Sequence, residues 1–163
     1  MSAAIAETLT LHRDWSFYLK SNKSDWKSGS FFKVYKITNV KEMWQILNNI
    51  HRKFTGSVNI FFMEGDLVPL WEQDVELWSD GGCWSTVIKG SSWVNCMHEI
   101  CCFVMGESMF DDEVVKGICV VPVSEAHSII KLWVTSQNEE IGSKLEQLFK
   151  KSGCCQPRFK SFR

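Results

Sequence analysis

Proline is scarce in this chain, with three residues in 163, and tyrosine scarcer still, with two. So little proline, beside ten glycines, excludes low-complexity and collagen-like chains. An excess of charge of either sign is also lacking: 18 Lys and Arg stand against 19 Asp and Glu. That balance excludes bulk coating of nucleic acid, and 45% hydrophobic residues exclude disorder. No apolar run approaches the ~20 residues that cross a bilayer. The opening, Met1 to Trp15, lacks the basic stretch and long apolar run of a secretory leader. A single domain in the cytoplasm, with the nucleus as a second compartment, is the expectation.

No CxxC spacing occurs among Cys83, Cys96, Cys101, Cys102, Cys119, Cys154 and Cys155. An odd count with two adjacent pairs fits neither a disulfide framework nor a zinc knuckle, so reduced and mostly buried thiols are expected. A nucleophile elbow, a Walker loop, a dinucleotide fingerprint and a zincin helix are all missing. His12, His51, His98 and His127 lie far apart without paired carboxylates. The acids Glu107, Asp111, Asp112 and Glu113 suit a solvated or capping loop at least as well as a metal. Catalysis has little support, and neither a cofactor nor a metal is expected.

What the chain does have is tryptophan, eight in all: Trp15, Trp26, Trp44, Trp71, Trp78, Trp84, Trp93 and Trp133. That is more indole than so small a domain hides, so some are expected to line a surface site. Strand-like runs rich in β-branched and aromatic residues occur at Trp15 to Leu19, Phe32 to Ile37, Val58 to Met63, Trp84 to Lys89, Ile118 to Val123 and Ile129 to Thr135. Three helical patterns accompany them. The first has Asn39 as N-cap, Glu42 three residues on, and Met43, Leu47, Ile50 and Phe54 on one stripe. The second follows Ser91 and Ser92 and carries Trp93, Met97, Ile100, Cys101 and Val104. The third starts at Asn138, carries Ile141, Leu145, Leu148 and Phe149, and stops at Gly153. Without repeated βαβ spacing, the fold class is α+β on a largely antiparallel sheet. Residues 1–11 are expected to form an N-terminal arm, 12–153 the domain, and 154–163 a basic tail or a short last strand.

Trp71 sits in a loop, Pro69-Leu70-Trp71-Glu72, with a carboxylate directly after the indole, and Trp26 sits in another, Lys23-Ser24-Asp25-Trp26. Two indole faces and a carboxylate suit a flat, cationic ligand that donates hydrogen bonds. The rings contribute stacking and cation–π attraction, about 2 kcal/mol when desolvated. The carboxylate accepts N–H donors at roughly 1.5–3 kcal/mol for a charged partner. On these residues alone, core packing remains the stronger account of the two tryptophans. Trp44 marks a second surface: it falls about 100° from Met43 on the helical wheel, at the rim of the apolar stripe with Val40 beside it. A large apolar residue there is either half-buried packing or a docking spot.

The order and context of these residues resemble the eukaryotic translation initiation factor 4E family, from about His12 to Gly153. The likeness is carried by His12-Arg13-Asp14-Trp15, Lys23-Ser24-Asp25-Trp26, Val40-Lys41-Glu42-Met43-Trp44, Pro69-Leu70-Trp71-Glu72, Gly81-Gly82-Cys83-Trp84, Met105-Gly106-Glu107-Ser108 with Asp111-Asp112, and Lys131-Leu132-Trp133. The resemblance implies a strongly curved antiparallel sheet, with the 7-methylguanosine cap of messenger RNA on its concave side and three helices on its convex side. It implies that Trp26 and Trp71 sandwich the methylated guanine, that Glu72 accepts from its N1 and N2 hydrogens, and that Trp133 touches the N7-methyl group. It also implies that Val40 and Trp44 receive an amphipathic helix from a 4G-like scaffold or a 4E-binding repressor, with His98 and Cys102 aligned to the same surface.

The sequence departs from the family pattern at the phosphates. The family has an arginine at the end of the strand matching Gly117 to Val123 and a lysine four positions before the third tryptophan; here those positions are Val123 and Ile129. His127, Lys131 and the tail residues Arg158, Lys160 and Arg163 are the candidate replacements. His98 and Cys102 stand where the family carries leucines, so an altered choice of partner is expected. The expected function is non-enzymatic binding of capped messenger RNA and its recruitment to translation through a scaffold. A cap-binding repressor or storage factor, and an interaction module with a weakened pocket, are the alternatives.

Overall fold

The computed structural model describes residues 9–50, 57–106, 114–124, 126–151 and 155–163. Seven strands form one sheet: β1 (Thr10–Ser21), β2 (Phe32–Asn39), β3 (Val58–Glu64), β4 (Gly82–Lys89), β5 (Val115–Pro122), β6 (His127–Val134) and β7 (Arg158–Ser161). Their order is β2-β1-β3-β5-β6-β4-β7, and every neighbouring pair is antiparallel. Register shifts within the β1–β2 and β5–β6 pairs accompany the curvature of the sheet. With α1 (Val40–Asn49), α2 (Trp93–Met105) and α3 (Glu139–Lys151), this is the expected α+β architecture.

Successive strand residues point to opposite faces, and the helices cover one of them. There Trp15 and Phe17 of β1, Ile60 and Phe62 of β3, Val120 of β5 and Leu132 of β6 pack with Met43 and Leu47 of α1, Met97 and Ile100 of α2, and Leu145 and Leu148 of α3. Phe17 stacks on Phe62 with centroids 5.1 Å apart. The helix α3 comes close to β4 because residue 142 is glycine: a Cβ there would collide with the Trp84 ring.

The cap of α1 is as the sequence indicates, with the Asn39 side chain accepting from the Glu42 N–H at 2.9 Å. The Glu42 carboxylate in turn accepts from the Thr38 N–H and hydroxyl at 2.8 and 2.9 Å. The helix ends at Asn49, short of the stripe drawn through Phe54. Phe54, Gly153, His51, Cys154 and the acids Glu107, Asp111, Asp112 and Glu113 lie outside the described residues. The strand β7 is short and charged, as edge strands are, and pairs with β4 through Arg158 and Ser85, Phe159 and Trp84, and Lys160 and Cys83. Among the described residues, no helix is long and apolar enough to cross a membrane.

Candidate functional site

The sheet face turned away from the helices carries a second apolar cluster, built from Tyr18, Phe61, Met63, Trp78, Cys83, Cys119 and Trp133. Strand register sorts this face into rows. One row runs Ser16, Met63, Gly117, Trp133, Cys83, Lys160 across β1, β3, β5, β6, β4 and β7. The adjacent row runs Tyr18, Phe61, Cys119, Lys131, Ser85, Arg158 across the same strands. Gly117 leaves the space in which Met63 and Trp133 meet, since a Cβ there would strike the Met63 sulfur.

Over these rows lies a cavity of about 480 Å³, lined by Trp26, Pro69, Leu70, Trp71, Glu72, Cys83, Lys131, Trp133, Lys160, Ser161 and Phe162. Trp26 arrives on the loop after β1 and is 54% exposed. Its ring meets Phe31 and Phe61 edge-on at 5.6 and 6.0 Å. The Lys20 ammonium lies 4.8 Å from the Trp26 ring centroid. It donates to the carbonyl oxygens of Ser21 and Ser24 at 3.1 and 2.6 Å, so Lys20, only 2% exposed, ties the Trp26 loop to β1. Trp71 opens a single tight turn, Trp71–Gln73, entered from an extended Leu70. Trp133 is buried in the floor against Trp78, 5.6 Å away at 79°.

The charges on this floor are of one sign. Burial raises the Cys83 thiol above its ordinary range, against the pull of the Lys131 and Lys160 ammonium groups. Burial likewise pushes the Cys119 thiol up to about 12, again against Lys131. Among the described residues, no carboxylate pairs with Lys131 or Lys160, so both ammonium groups can meet an anionic group. The whole arrangement offers flat apolar faces, one carboxylate and a cationic side wall. That combination suits a planar cationic base with N–H donors and an anionic tail.

Six residues singled out in the sequence thus share one cavity: Trp26, Trp71, Glu72, Trp133, Lys131 and Lys160. Arg158 sits in the Lys131 row but does not line the cavity. His127 lies at the far end of β6 opposite Lys89, six residues and roughly 20 Å of strand from Trp133. Val123 is exposed beyond the end of β5. Sequence reasoning did not single out Lys20, Trp78 or Phe162. Lys20 shares the parity of Tyr18, two residues earlier in β1, which is the signal that places it on this face.

Trp44 of α1 and His98 of α2 meet on the helix side of the molecule, where Val40 of α1 and Cys102 of α2 each pack against the core. The Trp44 and His98 rings meet edge-on at 6.0 Å, and His98 Nε2–H donates to the Leu47 carbonyl oxygen at 2.9 Å. Trp44 is 38% exposed, and the other three are half-buried.

Comparison with known proteins bears on the family and the fold. The curated relative eukaryotic translation initiation factor 4E-1 of Lactuca sativa is 26% identical over 137 residues, 80% of this chain and 57% of its own length. The protein of the same name from Phaseolus vulgaris is 26% identical over 147 residues, 85% of this chain and 62% of its own length. The chain therefore spans about three fifths of the length of these curated relatives. Among solved structures, Ascaris suum eIF4E-3 with m7G cap has a TM-score of 0.76 at 19% identity, covering 95% of this chain and 92% of that one. Schistosome eIF4E complexed with m7GpppA and 4E-BP has a TM-score of 0.78 at 20% identity, covering 94% and 88%. These structures share the fold. The family model described as eukaryotic initiation factor 4E matches residues 10–160, and the chain belongs to that family.

Proposed function

We propose that this chain binds the 7-methylguanosine cap of messenger RNA in the cavity and docks an amphipathic helix of a scaffold or repressor protein on α1 and α2. The observation that carries this reading is the convergence of Trp26, Trp71, Glu72 and Trp133, from three separate segments, on one cavity. Methylation at N7 gives the purine a positive charge, which strengthens its stacking between the Trp26 and Trp71 indoles. Glu72 accepts from the N1 and N2 hydrogens, and Trp133 in the floor meets the methyl group. Lys131 and Lys160 take the phosphates, with Arg158 the next cation outward. His127, four residues beyond Lys131 along β6, does not line the cavity and is left out of this reading.

Binding of this kind is non-covalent, and the protein acts as a cytoplasmic adaptor that delivers capped messages to translation. The helix face supports the second half of the reading, since Val40, Trp44, His98 and Cys102 form a partly apolar surface on the side opposite the nucleotide. Proteins of the same fold have been solved with an m7G cap and with 4E-binding proteins. Fluorescence titration with 7-methylguanosine diphosphate tests the pocket. Trp71→Ala is expected to lose most of the affinity while its unfolding midpoint stays unchanged. Unaltered affinity in that variant would sink the assignment.

A further inference from the structure

Phe162, the last residue but one, stands among three tryptophan rings. It lies parallel to Trp71 within 3°, centroids 6.0 Å apart, and tilts at 54° against Trp133 at 4.9 Å. It also meets Trp78 edge-on at 5.5 Å, and Trp78 closes the triangle by its own contact with Trp133. The Phe162 N–H donates to the Gly81 carbonyl oxygen at 3.2 Å, which holds the ring where the chain leaves β7. Among the described residues, it is the one ring in contact with both Trp71 and Trp133.

Trp71 needs such a support. It rides on a three-residue turn with no side-chain cap, and the residues that follow, Glu72 to Glu76, are exposed. The spacing also decides which of its faces is open. A base inserted between two parallel rings needs about 7 Å, two contacts of roughly 3.5 Å each. The 6.0 Å between Trp71 and Phe162 is too narrow for that. The face left for a ligand is therefore the one turned away from Phe162.

We infer that Phe162 is a positioning residue: it covers one face of Trp71, fixes the plane of that indole relative to Trp133, and makes the C-terminal residues part of the nucleotide site. The choice of ligand rests on the cap-binding reading, whereas the geometry does not. With Phe162 in place the Trp71 plane is set before the ligand arrives, and its ordering cost falls outside the binding step.

Two measurements on the full chain separate this role from a merely structural one. In proton–nitrogen spectra the Trp71 indole N–H, assigned by its loss in Trp71→Phe, is expected to shift or broaden in Phe162→Ala and to persist in Phe162→Tyr. For 7-methylguanosine diphosphate, Phe162→Ala is expected to weaken binding about tenfold and Phe162→Tyr less than about twofold. In a Trp71→Ala background the same Phe162→Ala change is expected to cost nothing more, because the two residues act as a unit. An unmoved Trp71 resonance in Phe162→Ala, or an equal loss of affinity in both backgrounds, overturns the inference. Should the unaltered chain fail to bind the nucleotide, the cap reading falls, and the resonance comparison still decides whether Phe162 holds Trp71.

Discussion

Phe61 and Phe62 are neighbours in β3 and both are fully buried, yet they serve opposite faces of the sheet. Phe62 stacks on Phe17 beneath the helices, where buried side chains from α1, α2 and α3 close the layer. Phe61 faces the other way and meets Phe31 and the half-exposed Trp26 edge-on. Among the described residues, no α-helix covers that face; its cover comes from the Trp26 loop, the Trp71 turn and Phe162. One face is a completed core. The other is a core with one layer open, and a flat ring is the shape that completes it.

The largest effect expected from breaking this contrast lies on the covered face. Phe62→Ala removes a ring that nothing can replace and is expected to cost about 3–5 kcal/mol of unfolding free energy in urea titrations. Nucleotide binding should then fall only as the folded fraction falls. On the open face the order reverses. Glu72 is exposed, so Glu72→Gln is expected to leave the urea midpoint unchanged while weakening 7-methylguanosine diphosphate by roughly 1.5–3 kcal/mol.

Smaller effects sharpen the same contrast. Lys131→Ala and Lys160→Ala are each expected to lower affinity for a triphosphate cap analogue by about 1 kcal/mol and to flatten its salt dependence, measured by titration across ionic strength. His127→Ala, far along β6, should leave both unchanged. Trp44→Ala should move nucleotide affinity by less than about 0.5 kcal/mol, as a surface change remote from the cavity does. The same variant is expected to lose capture of an amphipathic helical peptide, read by calorimetry.

The alternation that builds these two faces was legible only in part. Six strands were placed from their β-branched and aromatic runs, and each run lies largely within a strand. Such runs do not say which face is which, because Ile60, Phe61, Phe62 and Met63 are all apolar and both faces of β3 are buried. The last segment reads as tail or strand alike, since Arg158-Phe159-Lys160-Ser161 is short and charged and its pairing with β4 is a tertiary choice. For the site, the Trp26, Trp71, Glu72 and Trp133 quartet stood out by residue type and by the family resemblance. Trp78 and Phe162 carry no motif. They matter only because the chain returns its C-terminus to the Trp71 turn, and no local pattern reports that. Of the candidate cations, Lys131 and Lys160 share the parity of Trp133 and Cys83 and line the cavity, while His127 has that parity four residues beyond Lys131 along β6 and does not line it.

The most direct measurement sets 7-methylguanosine diphosphate against guanosine diphosphate in fluorescence titrations of the unaltered chain. If the open face is a site for a cationic purine, the methylated nucleotide should quench tryptophan emission and bind at least about tenfold more tightly, the share that cation–π attraction supplies between two indoles. Equal affinity for the two nucleotides, or no saturable quenching by either, would contradict it.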